Sequence, residues 1–81
     1  MKTIKIEQLK DVLIMRKTHF EYQNKDSTTE HVYGTLQYSY IPESMYAKNS
    51  DEEPGFKYYD LYENDWRYLP EYVTEVNVLS Q

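Results

Sequence analysis

The residue types that could do chemistry in this chain of 81 residues are two His, fourteen Asp or Glu, nine Lys or Arg, and an aromatic set of ten Tyr, two Phe and one Trp. His19 and His31 flank a polar turn and could face each other across a hairpin, but a metal site needs three or four positioned ligands. With no Cys, neither a disulfide framework nor a thiolate site is available. The only glycines, Gly34 and Gly55, precede no helical pattern, so no phosphate-cradling loop is present. The Ser residues lie mostly in loop-forming stretches without an evident base. Paired carboxylates do acid–base work where an apolar pocket raises one pKa, and the sequence offers no such pocket. The expectation is a protein that is not an enzyme and uses no metal or cofactor.

What remains is binding chemistry. The stretch 56–69, FKYYDLYENDWRYL, holds the only Trp, four of the ten Tyr and one of the two Phe. Tyr and Trp combine a large apolar body with a polar tip, the combination favoured at interfaces. Tyr58, Tyr62, Trp66 and Tyr68 are therefore the candidate anchors for a partner. Residues 43–81 carry nine of the fourteen carboxylates but three of the nine bases, and the net charge is −5. Asp51, Glu52, Glu53, Asp60, Glu63 and Asp65 form the candidate acidic field. Such a field repels phosphate backbones and suits a basic protein surface. The competing set is Arg16, Lys17 and Lys25 on the first hairpin with Arg67 beside Trp66, which with Tyr stacking could hold nucleic acid or a nucleotide. Arg67 could instead lock its own hairpin by pairing with Asp60 or Asp65.

Those side chains need elements to hold them. Residues 1–13 mix apolar spacings, but Ile6, Leu9 and Leu13 fall on one helical face, so a short N-terminal helix is expected. From Ile14 the pattern alternates: Ile14, Thr18, Phe20 and Tyr22 on one face, Met15, Lys17, His19 and Glu21 on the other. Asn24-Lys25-Asp26-Ser27 is turn material, and a second strand runs over 28–38 with Val32, Gly34 and Leu36 together. Gly34 in mid-strand suggests a bulge or bend. Residues 39–55 are the longest loop, with a helical turn at Ile41-Pro42. Two aromatic strands follow, joined at Glu63-Asn64-Asp65, then a one-turn break at Pro70-Glu71-Tyr72 and a last strand over 73–79 with Val76 and Val78 on one face and Val73 and Leu79 on the other. This is one domain over 1–81, mainly β, arranged as a five-stranded SH3-like or Sm-like barrel with an N-terminal helix and a helical turn before the final strand.

Gly34-Thr35-Leu36, Ile41-Pro42, Tyr59-Asp60-Leu61 and Trp66-Arg67 occupy the places of a pattern, and with it residues 14–78 resemble the small SH3-barrel proteins of tailed phages related to the WYL-type barrels. Tyr68-Leu69 stands where those proteins usually have Ser-Phe, and the 24–28 turn lacks their common Asp-Gly. The resemblance implies an SH3-like fold, an Arg67 able to engage nucleotides or single strands, and a phage-type role as inhibitor or modulator of a host or defence protein such as a nuclease or toxin. Composition adds no signal-peptide or membrane-span pattern, so a cytoplasmic protein without membrane contact is expected. A homo-oligomer joined at sheet edges is a further expectation.

Overall fold

The computed structural model describes residues 2–48 and 55–79; the acidic run Asp51, Glu52 and Glu53 lies outside the described residues. In chain order the elements are β1 (Lys2–Lys5), α1 (Ile6–Met15), β2 (Thr18–Gln23), β3 (Thr29–Thr35), two 3₁₀ turns (Tyr38–Tyr40 and Glu43–Lys48), β4 (Lys57–Asp60), β5 (Asp65–Tyr68) and β6 (Glu75–Val78). The strands make one antiparallel, open sheet in the order β1-β6-β2-β3-β4-β5. Its two edges, β1 and β5, are short and carry charge (Lys2, Lys5, Asp65, Arg67), which discourages strand pairing between molecules.

The sheet has six strands rather than the expected five, because the N-terminus opens with a strand. Ile4 sits opposite Val76 and is buried with it, so this isolated apolar residue belongs to the sheet and not to the helix. The helix begins at Ile6, where the Lys5 amide donates to Gln8 Oε1 at 3.1 Å, and continues to Met15, past the expected strand start at Ile14. Its periodic face is the one read from the sequence: Leu9 and Leu13 are fully buried, each worth about 1.5–3 kcal/mol of transfer free energy. The helix end is tied down by β3, since the Leu13 carbonyl accepts from the Leu36 amide at 2.8 Å and from Thr35 Oγ1 at 3.2 Å. Residues 70–73 form a turn closed by Val73 N–H to the Pro70 carbonyl, not a helix, and the last strand is four residues long.

The core lies between α1 and the inner face of the sheet, where Ile4, Phe20, Val32, Tyr58, Leu69, Val76 and Val78 meet Leu9 and Leu13. Gly34 is in register with Thr18 on one side and Asp60 on the other, so it makes no bulge. Its role is steric. A Cβ there would stand 3.0 Å from Tyr58 Cδ2 and 3.5 Å from Phe20 Cε1, the two rings that meet edge to face at 5.7 Å over this strand. The Tyr59 carbonyl at 3.3 Å closes the remaining room. Gly34→Ala is therefore expected to cost about 1–3 kcal/mol by overpacking. A urea midpoint equal to that of the parent chain would show that the rings have slack.

Candidate binding surface

The β2–β3 turn sets the outer face. Asn24 to Thr28 is a five-residue loop closed by Asn24 N–H to the Thr28 carbonyl at 2.8 Å, with Ser27 at φ 72°. Thr28 donates to the Asp26 carboxylate through its hydroxyl and its amide, which holds the Asp26 pKa below the ordinary carboxylate value. The loop pairs Gln23 with Thr29, and hence His19 with Tyr33 and Glu21 with His31. The two His do not face each other, correcting the sequence expectation: the loop is longer than a four-residue turn, and the register moves with it. No group of His, Asp and Glu with metal-binding geometry occurs among the described residues.

That register builds a ring cluster. His19 stacks on Tyr33 with centroids 4.0 Å apart and planes 8° from parallel. Tyr62, delivered by the β4–β5 turn, leans on both at 6.2 and 5.8 Å, with its hydroxyl 3.4 Å from His19 Nδ1. Tyr62 is 59% exposed and Leu79, whose amide bonds the His19 carbonyl at 2.9 Å, is 39% exposed. Beyond them on the same face, His31 Nδ1 sits 3.2 Å from Glu21 Oε2. Alternation had placed His19 outward; Tyr33 escaped notice because the shifted register hid its partner.

The turn that delivers Tyr62 is made by its own acids. Asp60 Oδ1 accepts from the Tyr62 and Glu63 amides at 2.9 and 3.2 Å, Asn64 takes φ 56°, and Asp65 Oδ1 accepts from the Trp66 amide at 2.8 Å. Asp60 is buried, so it is removed from the acidic field: its carboxylate is spent on backbone donors. Glu63 and Asp65 are exposed on the turn, beside Tyr62.

The anchor set divides. Tyr58 is 2% exposed against Phe20 and belongs to the core, because alternation turns it inward with Gly34 left empty for its ring. Tyr59, on the opposite face, is 1% exposed, so both faces of β4 are covered. Its hydroxyl has no hydrogen-bond partner among the described residues, and burial, helped by Asp65, raises its pKa. Trp66 is half-buried, meets Tyr59 edge-on at 5.4 Å and donates its indole N–H to the Met45 carbonyl at 2.8 Å. It is a staple for the 3₁₀ segment, not a free anchor. Tyr68 is half-buried with the Lys57 ammonium 5.6 Å from its ring centre. Of the four, Tyr62 alone is exposed.

The bases do not converge. Arg16 and Lys17 precede β2, with Lys17 4.6 Å from the centre of the Tyr40 ring, whereas Lys25 follows the strand and lies over Tyr72 at 5.2 Å. A six-residue strand separates them by roughly 20 Å. Arg67 forms no ion pair with Asp60 or Asp65 among the described residues; their Oδ1 atoms accept backbone amides at the turn. Among the described residues its charge acts instead on the Tyr22 and Tyr58 hydroxyls.

Strand order, N-terminal helix and outer aromatic cluster together define a small antiparallel domain of the Sm-like SH3 class. Residues 6–70 match the model of the WYL_2 family, described as an Sm-like SH3 beta-barrel fold, and the chain belongs to that family. No curated protein and no solved structure matches the chain. Among the described residues, no helix is long and apolar enough to cross a membrane.

Proposed function

We propose that the protein is a small protein-binding module, working by docking and not by catalysis, that inhibits or modulates a host or defence protein with a basic surface, such as a nuclease or toxin. The observation that supports this most is the His19–Tyr33–Tyr62 cluster, pre-stacked with Tyr62 exposed over the half-buried His19 and Tyr33. Rings already held in place lose little conformational freedom on binding, and an exposed aromatic patch is the usual energetic centre of an interface. Glu63 and Asp65 on the same turn, with Asp51, Glu52 and Glu53 contributing charge, would steer a basic partner. On this reading the sheet curls toward a closed Sm-like barrel, and the protein acts in the cytoplasm of the host cell.

The test is capture of a partner from nuclease-treated host lysate, followed by affinity measurement with the purified partner. Tyr62→Ala should weaken that affinity by about thirtyfold, the scale of a hot-spot residue worth about 2 kcal/mol, with an unchanged melting temperature. Equal affinity for parent and variant would reject the platform. The competing reading is a nucleic-acid barrel, favoured by one observation: a stacked His19–Tyr33 pair is also a surface on which a base can stack. Saturable binding of single-stranded DNA or RNA at low salt, lost in Tyr62→Ala, would replace the protein-binding proposal with this one.

A further inference from the structure

A groove of about 390 Å³ opens beyond Tyr68, at the end of β5 opposite the turn that carries Tyr62, and is lined by residues that directly follow both edge strands. Ile6 and Glu7, directly after β1, form one wall; Leu69, Pro70 and Glu71, directly after β5, form the other. The floor is apolar, made by Ile6, Phe56, Leu69 and Val73, and Gly55, at φ 110°, leaves the entrance without a side chain. The groove is framed by main-chain bonds: Leu69 N–H to the Phe56 carbonyl at 2.9 Å, and Ile6 N–H to the Thr74 carbonyl at 3.2 Å. Its size lies within the range of pre-formed pockets for small groups.

The charge on the groove selects its occupant. Glu7 and Glu71 are both exposed, one on each wall, and neither forms an ion pair among the described residues. Two carboxylates on the lining of one apolar trough, with the neighbouring Lys5 paired to Glu75, favour a guest that brings positive charge on both sides of an apolar group. The chain's own Asp51-Glu52-Glu53 run has the wrong sign for this position. A second copy of a chain with net charge −5 would also approach against repulsion. We propose that this groove is a second contact site, which takes an apolar side chain of an extended partner segment flanked by Lys or Arg. The proposal rests on the protein-binding reading for the class of partner only, and it uses a different face and different residues.

The probe is a fluorescently labelled Lys-Leu-Arg-Leu-Lys peptide, titrated into the full chain at low salt with anisotropy and amide chemical shifts as readouts. Saturable binding is expected, with shifts at Ile6, Phe56, Leu69 and Val73. Replacing both Leu of the peptide by Gly, or its bases by Glu, should abolish it. Glu7→Lys with Glu71→Lys should lower the affinity at least about tenfold, an effect that shrinks as salt is raised. Thr74→Trp, which fills the groove from an exposed position, is the second variant, and melting temperatures establish that both remain folded. Absence of saturable binding would overturn the proposal. So would equal affinity for the charge-reversed variant, or self-association of the parent chain that Thr74→Trp abolishes, which would make a second copy the occupant. Shifts confined to His19, Tyr33 and Tyr62 would likewise overturn the groove while leaving the aromatic platform intact. Conversely, loss of the platform reading in the Tyr62→Ala experiment leaves the peptide result unaffected.

Discussion

Tyr58→Ala is expected to lower the unfolding free energy by about 3–5 kcal/mol, the range for removing a buried aromatic ring. For a domain of this size, total stability is on the order of 4–12 kcal/mol, so the variant should lose at least about a quarter of it and melt far below the parent chain. The ring packs edge to face on Phe20 and covers the bare backbone of Gly34, so its loss opens a cavity that no neighbouring side chain is placed to fill. Tyr58→Phe keeps the ring and should be near neutral at pH 7, with a distinct signature in alkali. Burial first, then the nearby Tyr22 and Asp60, push the Tyr58 hydroxyl far above its ordinary value of 10.0, against a smaller opposing pull from Arg67. The folded protein keeps this proton while the unfolded chain begins to release it near pH 10, so the contribution is complete below pH 10 and is lost as pH rises above it. Tyr22 and Tyr59, also raised by burial, act in the same direction. The parent chain should therefore lose thermal stability steeply above pH 10, and Tyr58→Phe more gently. Parallel curves for the two proteins would mean that the Tyr58 hydroxyl is hydrated in the folded state.

Period and turn chemistry made most of the sheet legible. Thr18 and Phe20 face inward, as do Val76 and Val78, because strict alternation leaves one solution once a face is buried. Leu9 and Leu13 declared the helix by their spacing. The first strand was not legible, since a four-residue segment with one apolar side chain has no period; only its pairing with β6 defines it. Pro42 correctly marks the start of helical structure, but the Glu43–Lys48 turn is tied to the sheet by Trp66, a contact 21 residues away in sequence, beside the local bond of Tyr46 to the Tyr38 carbonyl.

The candidate surface was legible in its chemistry and obscure in its assignment. An aromatic-rich stretch must contain both core and contact residues, and composition does not sort them. Tyr58 and Tyr62, four residues apart, would share a face of one continuous strand, yet β4 ends at Asp60, whose carboxylate captures the Tyr62 and Glu63 amides and swings Tyr62 out of the strand and onto His19. One Asx-type turn thus separates a core residue from a surface residue of the same type. The turn also explains why Asp60 left the acidic field while Glu63 stayed in it. Register had a comparable effect on the first hairpin, where the five-residue loop pairs His19 with Tyr33 and His31 with Glu21, so a stacked His–Tyr pair stands in place of a His–His pair.

Trp66→Ala tests the other half of the anchor set. The indole meets the Tyr59 ring at 5.4 Å, the Tyr38 ring at 6.2 Å and the Met45 carbonyl at 2.8 Å, and so ties the two 3₁₀ turns, themselves joined by Tyr46 to Tyr38, onto the sheet. Because Trp66 is half-buried, its removal should cost about 2–4 kcal/mol, somewhat less than full burial would imply. The loss should be local in its first effects. Amide protection in Tyr38–Tyr40 and Glu43–Lys48 should collapse toward that of an open loop, while β2, β3 and α1 retain theirs, since none of their buried residues touches the indole through a bond described above. Trp66→Phe should restore the ring contacts and recover all but about 1 kcal/mol, the share of the lost hydrogen bond to Met45. This pair of variants separates a staple from an anchor by where the damage appears. If Trp66 acts by holding the 3₁₀ segment, Trp66→Phe binds the partner as the parent chain does and differs only in loop protection. If instead it binds the partner itself, Trp66→Phe loses affinity with its loop still protected, and the contact surface would have to be extended from the His19–Tyr33–Tyr62 cluster across β5.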